Sequence, residues 1–479
     1  MNDTDQLQTL KALTEVVRDR ERPREGPRIA SVRVSPGSYL AAASVLTFLS
    51  ALLLRSEQDI YALAMLSFAW LVVPILAFTD RIEFDGKSLS RRGPAPFIQR
   101  LIAGRGKQLR IEDFEKVDTH ALRTLRRGGR VRYRYRTQVS GRNTEFRFAS
   151  GGRNYREMIG RLLPQLHEDK LDLRSLELRD YLCDPKAMSR EVDSLHLAST
   201  EILDSASLDF KLGRNSRKPG TAIESPPAAS NDPLDSERAV LLGALGNKLR
   251  ISGRLNQARE AFRRALIINP GDGRMLLDFA RLLRSQASSL SDAKLLSRAR
   301  AALRLSEMRA GNQPRLLALI GESFLEWGET ARAQKSFQKA IALEAGNFRS
   351  RMGLANLALR EGKLAHVIHQ YREAARAASE KSLTGYATRE ADYYATLNDD
   401  DEFLTVELRR INWLQYSLRV RKIAARVTNA SILVALISPY LEPSIAGICW
   451  SLASSSLVAW VSSLFAIKAL GPRRKPRSV

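Results

Sequence analysis

Two pairs of long uncharged runs stand out in the pattern of hydrophobic and polar positions. The first pair covers residues 37–54 and 60–79 around a short polar turn, and the second covers residues 427–441 and 443–467. A helix needs about 20 predominantly apolar residues to cross the hydrocarbon core of a bilayer. The pattern therefore predicts two transmembrane helical hairpins, although 427–441 is also short enough to lie at the membrane interface.

Basic residues flank both apolar pairs on each side. Arginines are frequent within residues 18–33 and basic side chains resume at Arg81, while the basic stretches 409–426 and 473–477 flank the second pair. Because lysine and arginine near membrane helices stay cytoplasmic, each pair must cross twice. We expect an integral protein of a bacterial inner membrane with four spans, and with both termini and the soluble domains in the cytoplasm. The alternative, buried helices of a soluble protein, is disfavoured by run length and flanking charge.

Between residues 81 and 166 the helical period disappears and short segments alternate polar and apolar positions. The segment RIEFDGKSLSRRG places two strands around an Asp-Gly turn. The segment RVRYRYRTQV, from residue 130, alternates with a period of two, and TEFRFAS is its expected partner. Apolar residues at helical spacing follow in NYREMIGRLLPQL. This pattern predicts a small β-barrel or bent sandwich closed by one helix.

The order of these segments, directly after two apolar runs, resembles that of bacterial PH-like membrane proteins. The resemblance rests on RIEFDGKSLSRRG, LRIEDFEKVD, the two later strands and the capping helix. It implies a seven-stranded PH-like barrel on the cytoplasmic membrane face, and it brings no catalytic residues with it.

The same section is strongly basic. It carries 21 Lys plus Arg and 8 Asp plus Glu, so its net charge of +13 is more than half of the chain's +24. Basic residues next to a membrane are attracted to anionic lipid by about 1 kcal/mol each. We expect one face of the alternating strand to contact lipid through Arg132, Arg134 and Arg136. The tyrosines opposite, Tyr133 and Tyr135, are expected to pack inside the barrel. A merely solvated basic face explains the charge equally well, and nucleic-acid binding is the less favoured alternative.

An internal repeat occupies the region after a Ser/Pro-rich linker. Corresponding positions recur at Gly246, Gly321 and Ala355, and the segments that carry them are LGNKLRISGRLNQAREAFRRALIINP, IGESFLEWGETARAQKSFQKAIAL and LANLALREGKLAHVIHQYREAARA. The last two copies are offset by 34 residues and the first two by 75, which is twice 34 plus an insertion of seven. The spacing predicts a fourth, degenerate unit between them, with its insertion in SQASSLSD.

These motifs resemble the tetratricopeptide repeat (TPR) family. The resemblance implies antiparallel helix pairs that stack into a solenoid, with small residues at the crossings, a glycine turn inside each pair and an aromatic residue that plugs the next repeat. It covers Glu237 to about Ala377. The early tryptophan of the family is missing, and Pro270 alone keeps the closing proline. The helical residues beyond it form either a fifth pair or a cap.

The TPR resemblance also implies a protein-binding or peptide-binding groove lined by the first helix of each pair. The residues expected there are Asn247, Arg250, Arg281, Arg284, Arg315, Asn356 and Arg360. Asparagine together with arginine suits an acidic peptide, although Glu322 and Glu326 would share the same face. The alternative is that all of these are ordinary solvated helix residues.

No catalytic or cofactor-binding motif emerges from the sequence. The two cysteines, Cys183 and Cys449, are far apart and suit a reducing compartment. His366 and His369 are one helical turn apart, but no third ligand is near them in sequence. The acidic run NDDDEF suits the capping of a helix better than a metal cage. We expect no enzyme activity, no metal and no cofactor.

The predicted fold class is a multidomain membrane protein with two transmembrane hairpins, a mostly-β PH-like barrel and an α-solenoid. The expected function is a non-enzymatic membrane scaffold or adaptor, and a membrane-tethered nucleic-acid-binding protein is the alternative. The expected segments are 1–36 cytoplasmic N-terminal helix and basic segment, 37–79 first hairpin, 81–166 basic PH-like domain, 167–204 helical extension, 205–236 flexible linker, 237–377 TPR array, 378–422 helical cap or connector, 423–469 second hairpin and 470–479 basic cytoplasmic tail.

Overall fold

A computed structural model describes most of the chain and divides it into two compact units. The described residues are 29–34, 37–94, 96–97, 108–125, 131–141, 144–149, 153–198, 233–437 and 443–471. The first unit comprises Met1–Val34, Asp80–Leu357 and Glu373–Gly385. The second comprises Ser35–Thr79, Ala358–Arg372 and Tyr386–Val479. The expected linker 205–236 lies outside the described residues except for its last four, which begin a helix.

The first apolar hairpin belongs to the second unit. Helix α1 spans Gly37–Arg55, and helix α2 spans Asp59–Thr79 with a π-helical turn at Phe68–Val72. The hydrogen bonds that join the helices include those from Ser50 Oγ to the Ala62 carbonyl oxygen (2.7 Å) and from Trp70 Nε1 to Thr47 Oγ1 (3.1 Å). By length and composition α2 could cross a membrane, whereas the apolar stretch Tyr39–Ser50 of α1 is shorter than a span.

The mostly-β domain of the first unit contains two antiparallel sheets among its described residues. The four-stranded sheet has the order β1-β2-β3-β4, and its strands are Ala30–Arg33, Arg81–Phe84, Ser88–Arg92 and Gln108–Arg110. The three-stranded sheet has the order β5-β6-β7, and its strands are Lys116–Leu125, Val131–Gly141 and Thr144–Ala149. Helix α3, Arg153–Leu162, packs its apolar face on both sheets through Tyr155, Met158 and Ile159. The expected strands and capping helix are present, and the assignment to the PH-like family stays a prediction.

Strand β1 precedes the first hairpin and was not predicted. Its register with β2 pairs Ala30 with Phe84 and Arg33 with Arg81, and Val34 N donates to the Asp80 carbonyl oxygen at 3.2 Å. The hairpin is thus inserted between two neighbouring strands of one sheet. Sequence reasoning placed the start of this domain at residue 81, because pairing across a long insertion leaves no local signal.

Two short helices follow the β domain. Helix α4 spans Leu173–Tyr181 and helix α5 spans Pro185–Ser194. Both pack against the first helix of the repeat array. The stretch expected to form a loose helical extension is therefore an integral part of the first unit.

The array consists of successive helix pairs. Its helices are α6 Pro233–Ser252, α7 Leu255–Ile268, α8 Gly273–Leu290, α9 Ala293–Arg309, α10 Pro314–Trp327, α11 Thr330–Leu343, α12 Phe348–Arg360 and α13 Leu364–Ala377. The degenerate second repeat is the pair α8 and α9, and its insertion lengthens helix α8. The pairs follow the expected solenoid arrangement.

The small residues and glycines of the repeat perform the expected tasks. A Cβ at Gly246 would lie 2.7 Å from the Phe262 ring, and one at Gly321 would lie 2.6 Å from the Phe337 ring. Glycine therefore permits the close crossing of the two helices in each pair. The mid-repeat glycines adopt the left-handed conformation expected of a helix-ending turn, namely Gly253 (φ 88°), Gly328 (84°) and Gly362 (73°).

The chain after the array forms long helices. Helix α14 spans Lys381–Asp399, α15 spans Asp401–Ile437 and α16 spans Pro443–Leu470. Asp400 Oδ1 accepts from the Phe403 backbone N–H (2.9 Å), so the acidic run caps α15 as expected. The last part of the expected cap, from Asp401 onward, and the first arm of the second hairpin form one continuous helix. Within α16, Gly447–Leu470 is long and apolar enough to cross a membrane.

Candidate functional site

A segment of the chain itself lies along the array. This groove segment, Glu168–Tyr181, includes helix α4 and carries five acidic and three basic residues. Asp172 begins the helix, because its Oδ1 accepts from the backbone N–H of Ser175 at 2.8 Å and from that of Thr119 at 3.1 Å. Burial raises the pKa of the Asp172 carboxyl. The helix start is therefore fixed to strand β5 of the β domain.

A chain of buried hydroxyl groups holds the other side of the groove segment to the sheet. Ser175 Oγ lies 2.8 Å from Thr119 Oγ1, which lies 3.2 Å from Thr137 Oγ1, and this atom lies 2.8 Å from the Tyr155 hydroxyl. Neighbouring hydroxyl groups satisfy one another in this way, so the polar atoms are buried without losing their hydrogen bonds. Strands β5 and β6 and helices α3 and α4 are thereby connected.

Successive residues of the groove segment contact the repeats of the array in reverse order, from the last repeat to the first. Lys170 pairs with Glu380 after α13, and Arg349 Nη2 on α12 donates to the Leu171 carbonyl oxygen at 2.5 Å. The next contacts come from earlier repeats: Arg174 pairs with Glu326 of α10 at 3.0 Å, and Glu177 pairs with arginines of α6 and α8. The groove segment therefore runs antiparallel to the array, along the first helix of each pair.

Glu177 lies at the centre of the most buried of these contacts. Its Oε1 lies 2.5 Å from Arg250 Nη2 and 2.5 Å from Arg281 Nη1, and all three side chains are less than a tenth exposed. Burial alone would raise the pKa of the Glu177 carboxyl, but the charges of Arg250 and Arg281 lower it. Asn247 supports the cluster, since its Oδ1 accepts from Arg250 Nη2 (3.1 Å) and its Nδ2 donates to Asp278 Oδ2 (2.8 Å).

The structure separates the expected groove residues into two groups. Asn247, Arg250 and Arg281 are not solvated, because the chain's own segment covers them, and Arg284 is half-buried beside Trp327. The other three are exposed, namely Arg315 on α10 and Asn356 and Arg360 on α12. The expectation that all seven residues face an open groove is therefore wrong for the first group. That any of the seven binds a separate partner stays a prediction.

A cavity of about 500 Å³ lies where the sheet, the groove segment and the array meet. Five arginines and two glutamates contribute to its lining: Arg123, Arg174, Glu177, Arg250, Arg281, Arg284 and Glu326. Aromatic and hydroxyl side chains complete it, including Tyr133, Tyr135, Ser285, Ser288 and Trp327. Its volume is within the range of roughly 300–1,000 Å³ that is typical of small-molecule sites.

The arginines of this cavity, here called the arginine cavity, differ in how completely they are paired. Arg250 donates hydrogen bonds to the carboxylate of Glu177 and to Asn247 Oδ1, while Arg123 Nη1 donates to Ser288 Oγ at 2.7 Å. Arg284 stacks on Trp327, 4.9 Å from the ring centroid, and its buried Nη1 has no hydrogen-bond partner. The nearest carboxylate oxygen to Nη1, Glu326 Oε1, is 3.8 Å away.

Sequence reasoning missed Glu177, Arg123 and Trp327 as site residues. Arg123 and Glu177 precede the array, and the helical pattern around Glu177 is weak. The only available signal was the acidic character of residues 168–181 beside an arginine-rich repeat face. Of the residues that the structure describes, no three His, Cys, Asp or Glu side chains are grouped as a metal site requires.

The alternating strand β6 has one face toward solvent and one toward the array. Arg132, Arg134 and Arg136 are exposed on the outer face, as expected. Tyr133 packs with the buried cluster of the array, and the Tyr135 hydroxyl donates to the Ile251 carbonyl oxygen of α6 at 2.8 Å. The expectation that both tyrosines fill the barrel is thus corrected, because helix α6 covers that face of the strand.

The second unit has a buried polar cluster at one end of the pair α15 and α16. The Tyr393 hydroxyl donates to Glu407 Oε1 (2.7 Å), and Arg410 Nε donates to Glu407 Oε2 (2.8 Å). Arg410 Nη1 also donates to the Leu470 carbonyl oxygen at 2.5 Å. Further along the pair, Thr428 Oγ1 lies 2.9 Å from Ser456 Oγ. Residues before and after the second apolar pair are therefore close together.

Comparison with known proteins adds little to this geometry. No family model and no curated protein matches the chain. The crystal structure of MamA protein is 17% identical and matches with a TM-score of 0.24, over 34% of this chain and 96% of that one. The crystal structure of the APC/C hetero-tetramer Cut9-Hcn1 is 14% identical, with a TM-score of 0.27, over 66% of this chain and 52% of that one. Similarity this distant says nothing about function.

The helix pairs themselves define the class of protein. It is a largely helical, solenoid-like protein with a small sheet region, and its close glycine crossings and glycine turns support the resemblance to the TPR family.

Proposed function

We propose that this protein is a non-enzymatic adaptor, anchored in the cytoplasmic membrane, whose helix-pair array binds an acidic segment of a protein partner. The observation that carries this proposal is the pairing of Glu177 with Arg250 and Arg281. The first helices of the array bind a buried glutamate of helix α4 there, although this helix belongs to the same chain. The same chemistry is available on the uncovered residues Arg315 and Asn356, which are exposed.

Membrane anchoring by four spans is part of the proposal. Helix α2 and the stretch Gly447–Leu470 have the length and composition of spans. Strands β1 and β2 pair on either side of the first hairpin, and Arg410 contacts Leu470 at the base of the second. These contacts support the inference that each apolar pair crosses the membrane an even number of times. The positive flanks support a cytoplasmic location for the soluble parts.

The basic outer face of β6 suits anionic lipid better than nucleic acid. Arg132, Arg134 and Arg136 are exposed, but the tyrosines between them face the array. Binding of single-stranded nucleic acid depends on exposed aromatic rings on which bases stack. Because Tyr133 and Tyr135 cannot offer such a surface, we propose that the three arginines contact anionic headgroups.

Partner capture from native membranes tests the adaptor function. The full-length protein is photo-cross-linked in the membrane through an unnatural residue at position 356, and the cross-linked proteins are identified. We expect one partner to be recovered, and we expect charge reversal at Arg315 (Arg315→Glu) to abolish its capture. The matched control is Arg298→Glu on helix α9, which is also exposed and should not change capture. Recovery that is equal in both variants, or recovery of no protein, contradicts the proposal.

A further inference from the structure

The arginine cavity has more positive charge than its own carboxylates compensate. Five arginines and two glutamates leave a formal charge of +3 on its lining. The adjacent Asp278 acts on Arg250 and Arg281, but it also pairs with Arg274 at 3.6 Å outside the lining, so these two residues together add no net formal charge. Surplus guanidinium groups in a partly buried cavity repel one another at reduced dielectric, and this repulsion costs free energy unless an anion is bound.

Two of the arginines have pKa values shifted in the direction that this surplus predicts. Burial lowers the pKa of the Arg281 guanidinium, and neighbouring Arg250 lowers it further. Burial likewise lowers the pKa of Arg284, with contributions from Arg174 and Arg281. Arg250 behaves in the opposite way: its pKa is raised, since Glu177 more than offsets its burial. Arg281 and Arg284 are therefore the arginines that an added anion would stabilise most.

A hydrogen-bond donor without an acceptor lies in the same place. The buried Nη1 atom of Arg284 has no hydrogen-bond partner, and a buried donor left in this state is costly. Arg281 forms an ion pair with Glu177, which it shares with Arg250, while Asp278 and Glu326 act on its charge from further away. Together the forks of Arg281 and Arg284 match the several acceptor oxygens of a phosphoryl group better than the two of a carboxylate.

We propose that the arginine cavity binds a phosphate-bearing molecule of about nucleotide size, with its phosphoryl group between Arg281, Arg284 and Arg123. The cavity volume exceeds what inorganic phosphate fills, and Tyr133 and Trp327 offer apolar ring surface for an organic moiety. The phosphoryl group belongs either to a soluble phosphate ester or to a lipid headgroup. Bound there, it would contact the sheet and the array at once and strengthen their connection.

Fluorescence titration of the full-length protein in detergent tests this site. Trp327 is the one tryptophan in the sequence of the first unit, so replacing the other four with phenylalanine leaves a reporter that lines the cavity. The probes are inorganic pyrophosphate, ADP and short-chain phosphatidic acid, with a poly-glutamate peptide for comparison. We expect saturable binding of at least one phosphate probe. Binding of pyrophosphate or ADP indicates a soluble ligand, and binding of phosphatidic acid alone indicates a headgroup.

Three variants distinguish this site from general positive charge. Arg284→Gln should weaken phosphate binding about tenfold, because it removes a charge-assisted donor. Glu326→Gln should tighten binding severalfold, since it removes a competing carboxylate, and a misfolded protein would not gain affinity in this way. Arg298→Gln, on the exposed face of α9, should have no effect.

The proposal is overturned by any of three results. In the first, no phosphate probe binds. In the second, a phosphate probe binds but Arg284→Gln and Arg298→Gln weaken its binding equally. In the third, poly-glutamate is the one probe that binds, and its binding depends on Arg284. The adaptor function is tested separately by partner capture at position 356, so either idea can fail without the other.

Discussion

At the scale of single residues, Glu177 decides how the β domain and the array are held together. It is the one carboxylate that contacts both Arg250 and Arg281 in the buried cluster. Buried charges are tolerated only when they are paired and hydrogen-bonded, so each member of this cluster depends on the others.

Replacement of Glu177 by glutamine should be strongly destabilising. Glu177→Gln leaves two buried guanidinium groups without their carboxylate, which we expect to cost about 3–5 kcal/mol in the free energy of unfolding. The urea midpoint, followed by Trp327 fluorescence in the background that lacks the other four tryptophans, measures this loss. Glu326→Gln is the control, because its pairs are partly exposed and their loss should cost about 1 kcal/mol or less. Equal losses in the two variants would contradict the assignment.

The same carboxylate gives stability a defined dependence on pH. The pKa of Glu177 is lowered in the folded state, so its contribution is fully present above its unfolded pKa of about 4.3. The contribution is lost as pH falls through the lower folded value. We expect the stability difference between wild type and Glu177→Gln to shrink as pH falls below about 5 in urea titrations at a series of pH values. A difference that stays constant with pH would argue against an ionised Glu177.

At the scale of elements, close crossings within helix pairs depend on glycine. In Gly321→Ala the new Cβ would overlap the ring of Phe337, which is fully buried and has little room to move. We expect a loss of about 1–3 kcal/mol from overpacking, measured by urea unfolding. In the control, Gly160→Ala on helix α3, the new methyl group meets no atom within 4 Å. That change should stabilise by about 0.5–1 kcal/mol through higher helix propensity, and destabilisation by both changes would point to a general intolerance of alanine.

Strand β6 combines two surfaces with separate tasks. Its tyrosine face is fixed by helix α6, whereas its arginine face is exposed. Reversing charge in the double variant Arg132→Glu, Arg134→Glu should therefore reduce association with anionic lipid while the fold stays intact. The measurement is the number of phosphatidylglycerol lipids that co-purify with the full-length protein at low salt, alongside its urea midpoint. Unchanged lipid content would mean that the arginine face of β6 is an ordinary solvated surface.

At the scale of the whole molecule, the residues just before each apolar pair contact the residues at or just after its end. Pairing of β1 with β2 closes the first, and the contact of Arg410 with Leu470 closes the second. A single crossing by either pair would separate these neighbours by the thickness of a membrane. The proposed four-span topology avoids this separation.

Cysteine labelling of intact cells checks the topology. In a background with Cys183→Ser and Cys449→Ser, we expect Ser56→Cys, in the turn between α1 and α2, to react with an impermeant maleimide from outside. Ser225→Cys, in the expected linker, should react only after the inner membrane is permeabilised. External labelling of Ser225→Cys, or protection of both positions, would exclude the proposed arrangement.

Local periodicity determined a large part of this protein by itself. The repeat spacing predicted the helix pairs and their glycine crossings, the alternation in RVRYRYRT predicted a two-faced strand, and the uncharged runs predicted hairpins. These features depend on residues within about one repeat of one another, so a single sequence is enough to reveal them.

Only the tertiary structure decided which surfaces remain open. It placed β1 beside β2 across an inserted hairpin, turned Tyr133 and Tyr135 toward the array, and filled the groove next to Arg250 and Arg281 with the chain's own Glu177. Each of these contacts joins residues that are far apart in sequence, and no local pattern encodes such a partner. The arginine cavity exists for the same reason, because its lining comes from the sheet, the groove segment and three array helices that meet only in the folded chain.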